Sequence, residues 1–340
     1  LTRPVGVSGD ETEAAAVAAR LLAPYGAVRI DALGNVLCTV NPTAVTPPAE
    51  AGEHLLLDAH LDQIGLIVQS IDDKGFIRVA NCGGVDRRVV MASDVTVLGR
   101  EPLFGVVCSS PPHLSADGAD KKPPKIEDIA IDVGLSKEQA QRLISPGDRV
   151  VLCGGVDTLA GGQIVSQALD DRASCAAVLR CLELIKDKPI ACGLSVLFST
   201  REEVGGQGAA AGAFTVNPTE AIVVDVTFAY TPDSPRHKCG EMGAGPMIGI
   251  APTLSRAIST QLCALAREQG IPYQTEVMDG KTGTNADSIV ISRSGVASGM
   301  VSIPIKYMHT PIETVHPDDV EASARLMAAY ILAKGVSANA

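Results

Sequence analysis

The sequence predicts an α/β domain into which a smaller β-rich domain is inserted. After Gly162, amphipathic helices alternate with apolar strands, which is typical of an α/β layer arrangement. Between Gly65 and Gly162, short strands are separated by turn residues and prolines. The central strand predicted at His54–Ala59 has its helical partners beyond this β-rich segment. We therefore predict one discontinuous domain, residues 1–64 and 163–340, interrupted by an inserted domain at 65–162.

Length and charge limit the possible functions. A chain of 340 residues is long enough for two domains with real cores. The net charge of −11 and the isoelectric point near 5.0 disfavour nucleic acids and anionic membranes as partners. Trp is absent and aromatic residues make up only 3% of the chain, so stacking surfaces for bases or sugar rings are scarce. Peptides or ions fit this composition better.

The cysteine pattern indicates a reducing compartment. Nine cysteines are scattered without a C-x-x-C pair, as expected of reduced thiols used as small apolar residues. No apolar run approaches the ~18–20 residues that cross a bilayer, and no signal peptide opens the chain. We expect a soluble, cytoplasmic protein that has no membrane partner.

The N-terminal segment predicts a helix, a hairpin and a strand. Ser8 and Glu11 have the spacing of a capping box before a helix that Pro24 and Gly26 end. The elements predicted next are a hairpin of Ala27–Asp31 and Asn35–Val40, a Pro/Ala-rich connector at Pro42–Glu53 and the strand His54–Ala59.

The inserted segment predicts mostly β-structure. The sequence Asp72–Gly75 is typical of a hairpin turn. One helix is predicted at Ser136–Ile144, where Ser136 and Gln139 form a second box-like pair and Pro146 ends the helix. We find no catalytic pattern in this segment.

The C-terminal segment alternates helix and strand. The elements predicted here are a helix at Arg172–Ile185, a strand at Ser195–Phe198, a helix after Gly206, a strand at Ala221–Val226, a helix at Ser255–Gln269, a strand near Thr275, a helix after Asp287, a strand near Val301 and a helix at Asp318–Lys334.

The stretch LSVLFSTREEVGGQGA, Leu194–Ala209, is the strongest candidate for a functional site. A buried strand ends just before two adjacent acids, Glu202 and Glu203, and a glycine-rich turn follows. Consecutive side chains in an extended chain point in different directions, so one glutamate can bind a metal while the other faces the water that the metal holds. An isolated Glu-Glu pair is more often a solvated corner, so this hypothesis requires further ligands.

Four other segments place a His or Asp at the end of a predicted strand. Each has a structural explanation of its own, and Asp170 or Asp171 could equally cap a helix. Together, however, two histidines and three carboxylates are what two divalent cations need when one carboxylate bridges them, and ligands gather at strand ends in such sheets. The candidates are His60 and Asp62, Asp170 or Asp171, Asp225, and His309.

A series of short motifs runs along essentially the whole chain: SGDETE, DALGNV, DAHLDQIG, PPHL, IDVG, ALDDR, REEVGGQGA, VVDVT, GAGP and YMHTPIETV. In these motifs and in their order, the chain resembles the tetrahedral (TET) metallo-aminopeptidases, the group of glutamyl and deblocking aminopeptidases. The resemblance implies a mixed-sheet α/β/α catalytic domain of the dinuclear zinc aminopeptidase type with a small β-barrel-like insertion, and removal of the N-terminal residue from peptides.

The resemblance also implies a role for each site residue. His60, Asp170 and Asp225 would hold one metal, and Asp170, Glu203 and His309 the other, with Asp170 bridging. Glu202 would be the general base, and Asp62 would orient His60. A cis peptide is implied at Asp170-Asp171. Lys306 and Asn285 depart from the Arg and Asp that are usual in the family, which puts a contact at those points in doubt.

Cofactors and partners follow from the same resemblance. Two divalent ions per subunit, zinc or else cobalt, and short peptides with a free N-terminus are implied. Family members typically form twelve-subunit tetrahedra, in which the β domain supplies contacts and controls access. The alternatives are another two-metal hydrolase, such as an N-acyl amino acid deacetylase or a glycanase, and a catalytically silent metal-binding scaffold.

Overall fold

A computed structural model describes residues 1–41, 53–109, 113 and 123–334. The helices are α1 Thr12–Leu22, α2 Lys137–Leu143, α3 Leu169–Ile185, α4 Gln207–Val216, α5 Arg256–Glu268, α6 Ala286–Ile289 and α7 Pro317–Ala333. The strands are β1 Ala27–Ile30, β2 Val36–Thr39, β3 His54–His60, β4 Gly65–Ile71, β5 Ile77–Cys82, β6 Asp94–Leu98, β7 Pro102–Val107, β8 Ala130–Asp132, β9 Arg149–Leu152, β10 Asp157–Thr158, β11 Ile164–Ser166, β12 Gly193–Ser199, β13 Glu220–Phe228, β14 Met247–Ile250, β15 Gln274–Val277, β16 Ala297–Lys306 and β17 Glu313–Val315.

Eleven strands form one mixed sheet in the order β1-β2-β12-β3-β13-β16-β17-β11-β10, with β14 beside β16 and β15 beside β14. Its four central strands, β12, β3, β13 and β16, run parallel to one another. The sequences of these strands are nearly continuous apolar runs because both faces of the sheet are covered. The parallel arrangement brings the carboxyl-terminal ends of these strands to one edge.

Helices cover both faces of the main sheet and make three layers. One face packs against α1, α3, α5 and α7 in the largest core cluster, which includes Leu182 and Leu326. The other face packs against α4 and α6 through Ala213 and Ile289. This is the α/β/α arrangement that the resemblance implies. None of the described helices is both long enough and apolar enough to span a membrane.

The strands β4 to β9 close into a separate six-stranded barrel in the order β4-β5-β8-β7-β6-β9. The barrel has its own apolar core, which includes Leu66, Val95 and Val150. Its strands lie between Gly65 and Leu152, whereas β10 already pairs with β11 in the main sheet. A small β-barrel within the chain is therefore present, and the boundaries of residues 65 and 162 stay a prediction.

Local signals in the sequence predict several of these elements correctly. The hairpin β1–β2 forms, and the Asp72 carboxylate accepts hydrogen bonds from the backbone N–H groups of Lys74 and Phe76 at the predicted turn. Ser136 and Gln139 form the predicted capping box of α2. The connector at Pro42–Glu53 lies outside the described residues except for Glu53, as does the PPHL motif except for His113.

The capping box predicted for α1 is wrong. The helix begins at Thr12, and its N-cap residue, Glu11, makes no side-chain capping bond. The Ser8 hydroxyl instead donates a hydrogen bond to Asp62, 2.6 Å away, because the chain before α1 folds over the end of β3. A tertiary contact thus replaces the local one that the spacing suggested.

Asn35 ties the β1–β2 hairpin to the segment that follows β12. Its side chain is fully buried, and its Nδ2 donates to Asp31 and to the carbonyl of Gly208. Its Oδ1 accepts from the backbone N–H and the hydroxyl of Thr200. Two segments that are distant in sequence, the hairpin turn and the stretch from Thr200 to Gly208, therefore share one amide, and the Glu202–Glu203 pair lies within the second of them.

We predict that Asn35→Ala lowers the free energy of unfolding by about 2–4 kcal/mol, because it leaves buried donors and acceptors without partners. Urea unfolding monitored by circular dichroism measures the change. The control is Asn81→Ala on β5, where the side chain is exposed. An equal, small effect of the two substitutions would contradict a structural role for the Asn35 amide.

Candidate metal centre

The candidate side chains gather at the carboxyl-terminal edge of the main sheet. His60 is the last residue of β3, and Asp225 lies on the neighbouring parallel strand β13, two residues after Val223, which pairs with Asp58. The adjacent strand β12 ends level with His60, and Glu202 and Glu203 follow it in a turn. Parallel strand ends therefore bring together residues that are far apart in the sequence.

A first cluster consists of His60, Asp170 and Asp225, all of them buried. The Nε2 atom of His60 lies 3.0 Å from Oδ1 of Asp170 and 3.8 Å from Oδ1 of Asp225. One imidazole nitrogen and two carboxylate oxygens thus face a common point. Three protein ligands with an open position are typical of catalytic metal sites.

A second cluster consists of Asp170, Glu203 and His309. The Nε2 atom of His309 lies 3.3 Å from Oδ2 of Asp170 and 3.3 Å from Oε2 of Glu203. Asp170 is common to both clusters, with Oδ1 facing His60 and Oδ2 facing His309. The geometry suits a carboxylate that bridges two cations.

Hydrogen bonds orient both imidazoles with Nε2 toward the carboxylates. The Nδ1–H of His60 donates to the backbone carbonyl of Asp62 at 3.0 Å, and the Nδ1–H of His309 donates to the carbonyl of Gly84 at 2.8 Å. A carbonyl oxygen can only accept, so the proton of each neutral ring is on Nδ1. Each Nε2 then carries the lone pair that a metal requires.

Asp62 lies behind the centre and organises its backbone. Its carboxylate is 3.4 Å from Nδ1 of His60, farther than the carbonyl of the same residue. It accepts hydrogen bonds from the backbone N–H groups of Glu202 at 2.9 Å and Glu203 at 3.2 Å, and from the Ser8 hydroxyl. The carboxylate of Asp62 therefore fixes the turn that carries both glutamates, a contact that the sequence did not predict.

The Glu202 carboxylate lies beside the first cluster and outside both ligand groups. Its Oε2 is 4.0 Å from Nε2 of His60, and 16% of its side chain is exposed. Burial raises the pKa of Glu202. The carboxylate is thus held next to the cluster but remains accessible from the open side.

The charges of the site fit divalent cations. Burial raises the pKa of Asp225 and that of Glu203 well above their usual values. Oε1 of Glu203 is buried and has no hydrogen-bond partner in the described part of the chain. Over the same residues, no lysine or arginine forms an ion pair with the carboxylates of the two clusters. Bound cations would neutralise this concentration of negative charge.

Asp170 and Asp171 have different environments, which separates two residues that the sequence left as alternatives. Both aspartates have non-helical backbone angles at the start of α3, and over the described residues neither carboxylate accepts from the first N–H groups of the helix, because the Asp170 oxygens face His60 and His309 and Oδ1 of Asp171 has no partner. The carboxylate of Asp171 is fully buried and accepts from the backbone N–H of His60 at 3.1 Å. The peptide bond between the two aspartates is cis, as the resemblance implies.

Glu313 and two glycines contribute to the centre without having been predicted. The Glu313 carboxylate accepts from the backbone N–H groups of Asp170 at 3.0 Å and His309 at 2.8 Å. A Cβ on Gly84 would lie 2.7 Å from Nδ1 of His309, and one on Gly83 would lie 3.3 Å from Oε2 of Glu203. The sequence marks Glu313 only as part of ETV and the glycines only as a Gly-Gly pair. The role of Glu313 depends on how β17 lies beside Asp170 and His309, and that of the glycines on packing of the barrel against the main sheet.

The two departures from the family pattern lie outside the ligand clusters. Asn285 is buried, and its Nδ2 donates to Asp58 at 2.9 Å and to the Ser199 hydroxyl at 2.8 Å. Burial raises the pKa of Asp58 to about 7, and an amide can donate to that carboxyl where a second carboxylate would repel it. Lys306 ends β16, pairs with Thr314 in the strand register, and is not part of the cavity wall described next.

An open cavity of about 450 Å³ lies over the two clusters. The candidate ligands Asp170, Glu203, Asp225 and His309 line it together with Glu202. The rest of the wall comes from Gly84, Val226, Thr227, Phe228, Glu276, Met278, Thr282, Gly283, Thr284, Met300 and Met308. The cavity has the size of a small-ligand site and gives access to the acids from solvent.

Comparison with known proteins agrees with this architecture. The family model described as M42 glutamyl aminopeptidase matches residues 41–326. A lysyl aminopeptidase of Pyrococcus furiosus is 31% identical over 89% of this chain and 86% of its own length. The structure of a TET aminopeptidase from a marine sediment Thaumarchaeota archaeon is 26% identical, covers 99% of this chain and 95% of that chain, and gives a TM-score of 0.91.

A third similar structure is the TET1 peptidase of Pyrococcus horikoshii. It is 29% identical, covers 97% of this chain and 96% of that chain, and has a TM-score of 0.84. These similarities extend over nearly the whole chain, and they confirm the family and the fold class expected from the sequence. The chain belongs to the M42 family of glutamyl aminopeptidases and is an aminopeptidase, a hydrolase of the exopeptidase type.

Proposed function

We propose that the chain removes the N-terminal residue of short peptides with two divalent cations and a glutamate base. His60, Asp170 and Asp225 would hold one cation, and Asp170, Glu203 and His309 the other. The observation that carries this proposal is the placement of the two Asp170 oxygens, which face different histidines at 3.0 and 3.3 Å. When bound, the cations would supply electrophilic polarisation of the scissile carbonyl and of the attacking water.

The protein groups would position the reactants and move the protons. Glu202 would accept the proton of the attacking water and deliver it to the departing amine, because its carboxylate is beside the clusters and faces the cavity. Asp62 would keep Glu202 in place through the hydrogen bond that its carboxylate accepts from the backbone N–H of Glu202. The same carboxylate would help to orient His60, because it lies near Nδ1 of that ring.

Zinc is the metal we propose, with cobalt as the second candidate. Imidazole and carboxylate ligands in groups of three suit catalytic zinc, and the same ligands accept several divalent ions. A cytoplasmic location is supported by the cysteines, because all nine are free thiols and six of them are buried.

The preferred N-terminal residue does not follow from the relatives. The family is described by a glutamyl activity, whereas the Pyrococcus furiosus relative is named for lysine. These two side chains carry opposite charges. Preference therefore depends on the residues that line the cavity of each member, in addition to the shared metal ligands.

Replacement of Glu202 tests the proposed base. We expect Glu202→Gln to retain both metals and lower kcat by about 10²–10⁴-fold, because the amide cannot accept the proton. Hydrolysis of aminoacyl p-nitroanilides and metal analysis provide the two measurements. Glu268→Gln, an exposed residue at the end of α5, is the matched control. Near-normal turnover of Glu202→Gln, or release from an acylated peptide alone, would contradict the proposed roles.

Metal content tests the ligand assignment. Asp225→Ala removes a ligand from the first cluster only, so we expect the zinc content to fall from about two ions to about one per chain. Asp170→Ala affects both clusters and should leave less than one zinc ion per chain. Mass spectrometry of the desalted proteins measures the zinc, and circular dichroism checks the fold. If Asp170→Ala kept two zinc ions, Asp170 would not bridge them.

We propose a homo-oligomer, with a twelve-subunit tetrahedron as the form expected from the resemblance and with the β-barrel supplying contacts. The Pyrococcus horikoshii relative is described as assembling into a tetrahedron or an octahedral shell. Phe104 and Val106 support a barrel contact here, since both are exposed on one face of β7, with 63% and 39% exposure.

Light scattering after size exclusion tests the assembly. We expect a mass of about twelve times that of the 35.1 kDa chain. Phe104→Asp should reduce the assembled fraction, because it places a charge in an apolar contact, and Glu138→Gln on exposed α2 serves as a control. A monomer at all concentrations would exclude the proposed assembly.

A further inference from the structure

One acidic residue in the cavity wall has no place in the metal centre. Glu276 lies on β15, which pairs only with β14 among the described strands, and it lines the cavity that also contains Asp225 and Glu202. It belongs to neither ligand cluster. Of the five acidic residues in this wall, the other four are the candidate ligands and Glu202. The charge of Glu276 is therefore left without an assigned partner.

The contacts of Glu276 leave half of its carboxylate unsatisfied. Oε1 accepts a hydrogen bond from the Thr227 hydroxyl at 2.9 Å. Oε2 is buried and has no hydrogen-bond partner within the described ranges, where no Lys, Arg or His forms an ion pair with Glu276. Burial also raises the pKa of Glu276. A buried carboxylate with one neutral donor is costly to ionise, and a cation would relieve that cost.

Glu276 is close enough to the metal centre to meet a substrate side chain. Thr227, which holds it, is two residues beyond Asp225 on β13, so both side chains point to one face of that strand. At ~3.3 Å per residue, they lie about 7 Å apart along the strand. The long side chain of a substrate residue could span that separation while the scissile peptide group is held at the metal centre.

The rest of the wall suits a long aliphatic stem that ends in a positive charge. Met278, Met300 and Met308 offer flexible, apolar thioether side chains, and Phe228 adds an aromatic ring. Among the described residues that line the cavity there is no lysine or arginine, so none of them would pair with an acidic substrate side chain apart from the metal centre itself. Outside the candidate ligands and Glu202, the described part of the wall thus combines apolar side chains and threonines with one carboxylate, that of Glu276.

We propose that Glu276 binds the side-chain cation of a basic N-terminal residue and gives the enzyme a preference for lysine and arginine at that position. This inference rests on the proposed function, because it places the scissile peptide at the metal centre. The methionines would contact the methylene stem, and the Thr227 hydroxyl would hold the Glu276 carboxylate in place. An acidic N-terminal residue would be repelled by the same carboxylate.

An alternative role for Glu276 is to bind the α-ammonium group that every substrate of an aminopeptidase carries. The two roles have different kinetic consequences. Loss of an α-ammonium contact would lower the rate for all N-terminal residues alike, whereas loss of a side-chain contact would lower it for basic residues only. The comparison of lysine with norleucine separates them, since norleucine has the same stem without the amine.

The experiment measures kcat/KM for Lys-, Arg-, norleucine- and Glu-p-nitroanilide in the metal-loaded enzyme. For the unmodified protein we expect lysine to exceed norleucine by about 10- to 100-fold, the usual range for a charge-assisted hydrogen bond, and glutamate to be the poorest. Glu276→Gln should bring the lysine-to-norleucine ratio close to one while norleucine turnover is retained. Glu268→Gln is the matched control and should keep the full ratio.

The outcomes distinguish a failure of this inference from a failure of the proposed function on which it rests. No turnover of any free-amine substrate by the unmodified enzyme would mean that the proposed function fails. If the unmodified enzyme hydrolysed the norleucine substrate but showed no preference for lysine, the proposed role of Glu276 would be overturned and the proposed function would stand. A ratio unchanged in Glu276→Gln, or an equal loss for all four substrates, would overturn that role as well. Norleucine turnover within each variant reports on folding and metal loading.

Discussion

The concentration of negative charge at one edge of the main sheet is the constraint on which the rest of the structure depends. Asp170 and Asp225 are buried, the Glu203 side chain is only 4% exposed, and two imidazoles lie among these carboxylates in the two clusters. Such a group is unstable in a low-dielectric interior unless cations or protons neutralise it. The fold supplies no lysine or arginine in ion-pair contact with it over the described ranges. The surrounding hydrogen bonds instead orient the oxygens and nitrogens toward common points.

Backbone groups carry much of this orientation. Asp62 accepts from two consecutive backbone N–H groups in the turn that carries Glu202, and Glu313 accepts from those of Asp170 and His309. Two buried carboxylates outside the ligand clusters thus fix the positions of the loops. Because they act through the main chain, the geometry depends little on the side chains of the loops themselves.

The barrel takes part in the centre as well as forming a core of its own. The segment after β5 brings Gly84 against the imidazole of His309, where its carbonyl accepts the Nδ1 proton. A side chain at this position would meet the ring at 2.7 Å. The segment after β5 therefore contacts a candidate ligand of the second cluster. A contact that moved the barrel would also move the carbonyl that orients the imidazole of His309.

The sequence by itself determined the elements and the chemistry of the ligands. Apolar runs such as Leu55–Leu57 and Leu194–Phe198 predict buried strands because their periodicity is local, and polar residues directly after them mark strand ends. The same local signals, strengthened by family motifs, identified His60, Asp170 and His309 as candidates. These predictions need only the neighbours of each residue along the chain.

Only the tertiary structure decided which distant groups meet. The spacing of Ser8 suggested a helix cap, but the folded chain places its hydroxyl on Asp62. Glu276 had no signal at all in the sequence, since its strand is short and its partner Thr227 is 49 residues away. Contacts of this kind depend on the register of β13, β14 and β15 and on the burial that it creates. Local sequence patterns do not encode that register, because it is set by packing of the whole sheet.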